Sequence, residues 1–305
     1  MKKIRVKIEI EDQDYQKRLS DYIKIKGFSL FEINEKTYDL YVKDRQACLL
    51  LKTKKEEKVI NKHQSAQTTM EEMIEIFSRH QSIDFSSEEN RSKVIGVTSS
   101  QGGEGKTFLA QRMAVWAKKQ GKKVLYINLN GMACHEGIFT CEKPKDLSLL
   151  FYYLKKESEK FNTYLEMYKN YDPLYKIHYL SGVYPSCDIF LEEKEVNYFM
   201  TALKRNSLYD YIILDIPLYP HRAYTNILKM TYFTVYIKSS DGPKQRAIED
   251  YLRAEEVKLV PVCKGSGPCL GILLDQVSEN DFNMENDFYQ TIESIFYQGE
   301  SLVWL

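Results

Sequence analysis

The apolar positions of this chain change period several times, and those changes give the first map of its elements. Residues 4–10, I-R-V-K-I-E-I, alternate apolar and polar, as a half-buried strand does. Residues 14–26 then place Leu19, Tyr22 and Ile23 on one helical face, and Gly27 ends the run. Four short strands are expected next, at 28–33, 38–43, 47–52 and 59–60, followed by a helix over 69–79 with Met70, Met73, Ile74 and Phe77 inward. A polar stretch, H-Q-S-I-D-F-S-S-E-E-N-R-S, interrupts the pattern and reads as a linker. This predicts three parts: a small α/β domain over 1–80, a linker over 81–92 and a larger domain over 93–305.

In the larger part, strands and helices alternate. Val94, Ile95 and Val97 form an apolar strand, and the helix expected over 107–120 carries Leu109, Met113, Val115 and Trp116. V-L-Y-I-N-L-N at 124–130 has the continuous apolar character of a strand buried in a parallel sheet. Asp146 can cap a helix with Leu147, Leu150, Phe151 and Leu154 on one face, a pattern that continues through Phe161, Leu165 and Tyr168. Further strands are expected at 177–180, 209–215, 231–239 and 270–277, with helices at 192–204 and 243–255. Such alternation implies a doubly wound, mostly parallel α/β sheet whose ligands bind at the carboxyl ends of the strands.

The chemistry concentrates in one stretch, K-V-I-G-V-T-S-S-Q-G-G-E-G-K-T, residues 93–107. A strand, a glycine-rich loop and a helix start stand in the order that a phosphate-binding loop requires. Gly102, Gly103 and Gly105 free the backbone to turn its N–H groups around phosphate oxygens, and the helix adds unpaired N–H groups and the positive end of its dipole. Lys106 offers a charge to the β- and γ-phosphates and Thr107 a hydroxyl to Mg²⁺. The expected cofactors are ATP and Mg²⁺, held by Gln101, Gly102, Gly103, Glu104, Gly105, Lys106, Thr107 and Phe108. The apolar strand ending at Asp215 supplies a carboxylate of the kind that holds a metal or a metal-bound water, so Thr107 and Asp215 are the candidate metal residues.

Composition narrows the reading only a little. Across 305 residues, 43 basic side chains balance 43 acidic ones, which gives no general case for a nucleic-acid coat. The six cysteines lack C-x-x-C spacing and read as reduced thiols; Cys134, His135 and Cys141 lack paired ligand spacing for a metal. No apolar run approaches the roughly 18 residues that span a bilayer, and a cytoplasmic protein without a transmembrane segment is expected.

The loop resembles the variant phosphate loop of the MinD/ParA family, x-K-G-G-x-G-K-[ST], with Ser100 at its first position and Gln101 in place of the extra lysine. In that family the lysine reaches the partner's nucleotide across a dimer, and the strand at 124–130 ends in D-x-D. Here both aspartates are amides, Asn128 and Asn130, and an amide cannot accept a proton or add negative charge near Mg²⁺. The resemblance thus implies a catalytic set of Lys106, Asp215 and Asn130, Asp275 at the adenine, a homodimer, and weak or absent hydrolysis. Residues 1–80 resemble a response-regulator receiver with pieces removed, in which Glu11, Asp12, Asp44 and Lys62 match the acidic cluster, phosphoacceptor and lysine. These four are equally readable as surface charges on an unrelated α/β unit. Only 18 positions separate Asp44 from Lys62, so no complete acceptor pocket is expected. A degenerate receiver followed by an ATPase is similar to the TadZ/CpaE pilus-assembly localisation proteins, implying pilus or secretion-machinery partners and recruitment to the cell pole or inner membrane face. A ParA-like partition ATPase and a capsule-type bacterial tyrosine kinase are the alternatives.

Overall fold

The computed structural model describes residues 3–27, 30–79, 91–130, 138–139, 147–156, 160–182, 191–217, 222–238, 242–263 and 287–302. The chain divides into two compact units, residues 1–85 and 86–305.

The first unit is a five-stranded sheet with two helices. Its strands are β1 (Ile4–Glu9), β2 (Phe31–Ile33), β3 (Leu40–Arg45), β4 (Cys48–Thr53) and β5 (Glu57–Asn61), in the spatial order β2-β1-β3-β4-β5. β1 pairs in parallel with β2 and β3, whereas β4 runs antiparallel to both of its neighbours. The reversal follows from chain length. A parallel connection needs a crossover of a dozen or more residues, and only Gln46 and Ala47 lie between the paired Arg45 and Cys48. Gln46 takes the positive φ of 57° that so tight a turn demands.

Two helices, α1 (Gln13–Lys26) and α2 (Ala66–Ser78), cover one face of that sheet. Asp12 caps α1 through the Tyr15 N–H and Ser65 caps α2 through the Thr68 N–H. Leu19 and Ile23 from α1, and Met73, Ile74 and Phe77 from α2, pack with Val6, Leu40, Val42, Leu49 and Leu51. The period of two sends Arg5, Lys7 and Glu9 to the opposite face, which is tied together by ionic contacts such as Arg5 to Asp39 at 2.8 Å.

The second unit is built on a seven-stranded sheet. In chain order its strands are β6 (Lys93–Ser99), β7 (Val124–Asn128), β8 (Asn170–Asp172), β9 (Ile177–Leu180), β10 (Tyr211–Asp215), β11 (Phe233–Lys238) and β12 (Leu259–Cys263). They lie in the order β12-β11-β6-β10-β7-β9-β8, all parallel except β8 at one edge. The described helices are α3 (Lys106–Lys119), α4 (Leu147–Lys156), α5 (Phe161–Tyr168), α6 (Glu193–Arg205), α7 (Arg222–Lys229), α8 (Pro243–Ala254) and α9 (Asp287–Ser301). α3 and α9 share a core with Ile95, Val97, Ile213 and Val235, while the alternate side chains serve the opposite face, where α6 packs with α4, α5 and α7. Helices therefore cover both faces of a mostly parallel sheet, the doubly wound α/β fold that the alternation predicts.

Four elements stand outside the sequence expectation. β12 carries Pro261, which argues against a strand except at a sheet edge, where this one lies among the described residues. β8 is three residues long and polar, α7 is short, and α9 falls in a tail whose Gly299 weakens a helical reading. The strand expected at 270–277 lies outside the described residues.

Candidate functional site

The site grows out of three neighbouring strand ends. β10 lies between β6 and β7, and its last residue, Asp215, is level with Val97 on one side and Asn128 on the other. The loop leaving β6 passes through residues 100–105 into α3. Gly103 and Gly105 hold φ of 78° and 85°, a backbone state closed to most side chains, and a Cβ at Gly102 or Gly103 would meet no atom within 4 Å. Gly105 caps α3 without a side-chain bond, so the helix opens with its first N–H groups uncapped by any side chain at that position.

Asp215 is the centre of the polar contacts. It is fully buried, and its Oδ2 accepts from the Thr107 hydroxyl at 2.5 Å, from the Asn130 amide at 2.8 Å and from the Tyr126 hydroxyl at 3.3 Å. Its Oδ1 is buried with no hydrogen-bond partner. Burial pushes the carboxyl above its ordinary range, against the lowering effect of the Thr107 bond, the Lys106 charge and the Asn130 and Tyr126 bonds. An acceptor left open beside a hydroxyl at the head of a phosphate-type loop has the donor chemistry a hard cation wants. The residues present therefore fit Mg²⁺, with Thr107 and Asp215 as the groups that would hold it or its waters.

Lys106 begins α3 within electrostatic range of Asp215. Asn130 donates its amide both to Asp215 and to the Asn128 carbonyl at 2.9 Å, so it is engaged with protein groups in this arrangement. Gln101 is exposed; its N–H is taken by Glu104 and its carbonyl by the Ser99 hydroxyl. The Glu104 carboxylate is turned inward. The Phe108 ring lies against the Arg112 guanidinium, 4.9 Å from its centre, and against the core, which leaves its backbone as the part facing the loop chemistry. Asp275, Cys134, His135 and Cys141 lie outside the described residues. Among the described residues no group of three or more His, Cys, Asp or Glu side chains could hold a metal. Tyr126 is a site residue the sequence reading missed. The available signal was its place two positions before Asn128, on the same side of an apolar strand.

In the first unit, Lys62 Nζ reaches Asp44 Oδ1 at 2.7 Å and the Glu11 N–H reaches Asp44 Oδ2 at 2.5 Å. The short spacing thus does bring acid and lysine together, because the two hairpins return β5 to the end of β3 without helices. Asp12 is used as the cap of α1.

A glycine loop between a parallel strand and a helix, with Lys-Thr at the helix start and a buried aspartate on the adjacent strand, defines a P-loop α/β fold. Residues 92–239 match the family model described as an AAA domain. No match was found among curated proteins. Among solved structures, the chain is similar to a putative plasmid partition protein from Borrelia burgdorferi B31 bound to AMPPNP, at 15% identity over 70% of this chain and 99% of that one, TM-score 0.46. It is similar to the MinD cell division protein of Aquifex aeolicus at 16% identity over 70% and 98%, TM-score 0.45. The kinase domain of Escherichia coli tyrosine kinase ETK is similar at 16% identity over 57% and 68%, TM-score 0.45. Among the described residues no helix is long and apolar enough to cross a membrane.

Proposed function

We propose that the second unit is a MinD/ParA-type P-loop ATPase domain that binds ATP with Mg²⁺ and hydrolyses it slowly or not at all. The observation that carries this reading is the open, buried Oδ1 of Asp215 beside Thr107, at the head of a glycine loop whose lysine is in place. Lys106 supplies charge to the phosphates; Thr107 and Asp215 hold the metal shell. When bound there, Mg²⁺ would supply positive charge to the phosphate oxygens, and the protein groups around it have little means to deprotonate a water. Asn128 and Asn130 bring no charge, and Asp215, whose free Oδ1 is assigned to the cation, would then not be available as a base.

Calorimetry with Mg·ATP tests binding. Wild-type protein should bind, and Lys106→Ala should weaken it by at least about tenfold, since a charge-assisted bond is worth roughly 1.5–3 kcal/mol. An absence of heat for wild type at high nucleotide concentration would sink the reading. Steady-state turnover is expected far below the enzyme median of about 10 s⁻¹, and a rate near that median would contradict the inactive-site part.

The finer role we propose is that of a TadZ/CpaE-like localisation factor. The protein would be cytoplasmic, dimeric with a modest dependence on ATP, and recruited to a pilus or secretion apparatus through the receiver-like unit. It rests on the resemblance of the two-unit order and the amide-substituted site. A fluorescent fusion that keeps its focus after removal of residues 1–80 would break it.

A further inference from the structure

The phosphate-type loop contains a buried acid that the nucleotide chemistry does not use. Glu104 is 4% exposed although it lies among glycines, and its carboxylate points back at the start of its own loop. Ser100 Oγ donates to Oε1 at 2.8 Å and to Oε2 at 3.0 Å, and the Gln101 N–H donates to Oε2 at 2.9 Å. The Ser99 hydroxyl closes a second small ring onto the Gln101 carbonyl at 2.7 Å, and the Ser100 N–H is bonded to the Ile237 carbonyl of β11 at 3.2 Å. The loop is thus fastened to the sheet by the Ser100 backbone N–H, and to itself by the Ser99 hydroxyl at the Gln101 carbonyl and by the Glu104 side chain at the Ser100 hydroxyl and the Gln101 N–H. Gly102 and Gly103, on the span between these fastenings, touch nothing that a Cβ would meet.

We infer that Glu104 is a positioning residue for the proposed nucleotide site: its carboxylate clamps the loop entry, so the glycine span is held open for phosphate before any ligand arrives. The physical need is plain. A glycine-rich loop loses more conformational freedom on ordering than any other, and a ligand that had to impose that order would bind more weakly. Ser100 provides the hydroxyl through which the clamp acts, so a glycine at that position would leave the carboxylate with the Gln101 N–H alone among these donors. Glu104 does not touch the phosphates in this role; it acts through Ser100 and Gln101.

The inference rests on the Mg·ATP reading, and two measurements separate their fates. In the unliganded protein, hydrogen exchange of the 99–107 segment should accelerate in Glu104→Ala, with the Gln101 amide among the sites exposed, while the rest of the second unit keeps its protection. Unchanged exchange overturns the clamp. In titrations with Mg·ATP, Glu104→Ala and Ser100→Ala should each weaken binding by about tenfold, as expected when a charge-assisted bond is lost. The double variant should be no weaker than Glu104→Ala, because both changes break one unit. Glu104→Gln should recover part of the affinity through its remaining carbonyl acceptor. Additive losses, or full affinity in Glu104→Ala, overturn the positioning role. A wild-type protein that binds no Mg·ATP overturns the nucleotide reading and the role with it, whatever the exchange experiment finds.

Discussion

At the scale of single residues, Asn130 decides what kind of site this is. Its amide bridges the Asp215 carboxylate and the Asn128 carbonyl, so a donor stands where an acid would bring like charge to a fully buried acid. Asn130→Asp would set two carboxylates within hydrogen-bond distance, so that one must take up a proton or both must bear the repulsion of like charge. Without metal, that variant is expected to lose about 1–3 kcal/mol of stability, the cost of a buried charge that has lost its donor. Mg²⁺ should return much of the loss, since a dication between two carboxylates removes the repulsion. Urea unfolding of the variant with and without Mg²⁺ measures both effects, and a metal-independent midpoint would contradict the placement of the cation at Asp215. Lys106, Thr107 and Asp215 were legible in the sequence because loop chemistry is written in consecutive residues, and because an acid ending an apolar strand is conspicuous. Tyr126 and the inward turn of Glu104 were not. Both depend on which way a side chain faces once strand and loop are folded, and neither leaves a spacing signature.

At the scale of elements, the hairpins of the first unit show how a short connection rewrites a topology. Strand existence was readable there from alternation, and the reversal of β4 was implicit in a two-residue turn. Less readable was its result, the meeting of Asp44 and Lys62, because their separation in sequence says nothing about where two hairpins end. Burial raises the Asp44 carboxyl, but the bonds from Lys62 and the Glu11 N–H outweigh it and hold the group below its ordinary value. A carboxylate depressed in the folded state adds stability above its unfolded value of about 3.9, and that stability fades as pH falls through the lower folded value. Wild-type protein should therefore lose part of the first unit's stability on acidification, and Asp44→Asn should lose less across the same range. Circular dichroism of urea unfolding at neutral and acid pH gives the comparison; parallel curves for the two proteins would show that the pair is too well solvated to matter.

At the scale of the whole molecule, α9 is the element that the sequence concealed most completely and that the second unit uses most plainly. Tyr289, Ile292, Ile295 and Phe296 join its core, Phe296 stacks on Trp116 at 4.7 Å, and Gly299 passes against the Phe233 ring. A Cβ at Gly299 would overlap that ring. Gly299→Ala is expected to cost about 1–3 kcal/mol through overpacking, and Phe233→Leu in the same chain should recover part of it by making room. Thermal unfolding of the single and double variants reads this directly, and a fully additive loss would show that the two residues do not meet.

The reversed β4 also bears on how fast each unit assembles. β3, β4 and β5 pair with their immediate neighbours in the chain through short turns, so the entropy lost in closing those loops is small. In the second unit β6 pairs with β10, joining Lys93 to Tyr211 across more than a hundred residues, and the middle of the sheet cannot form until that distance is closed. Contact order therefore falls unequally along one polypeptide, and the folding rates of the two units should differ accordingly. The chain carries one quickly forming sheet and one slow one, and during refolding the glycine loop belongs to the sheet that is late.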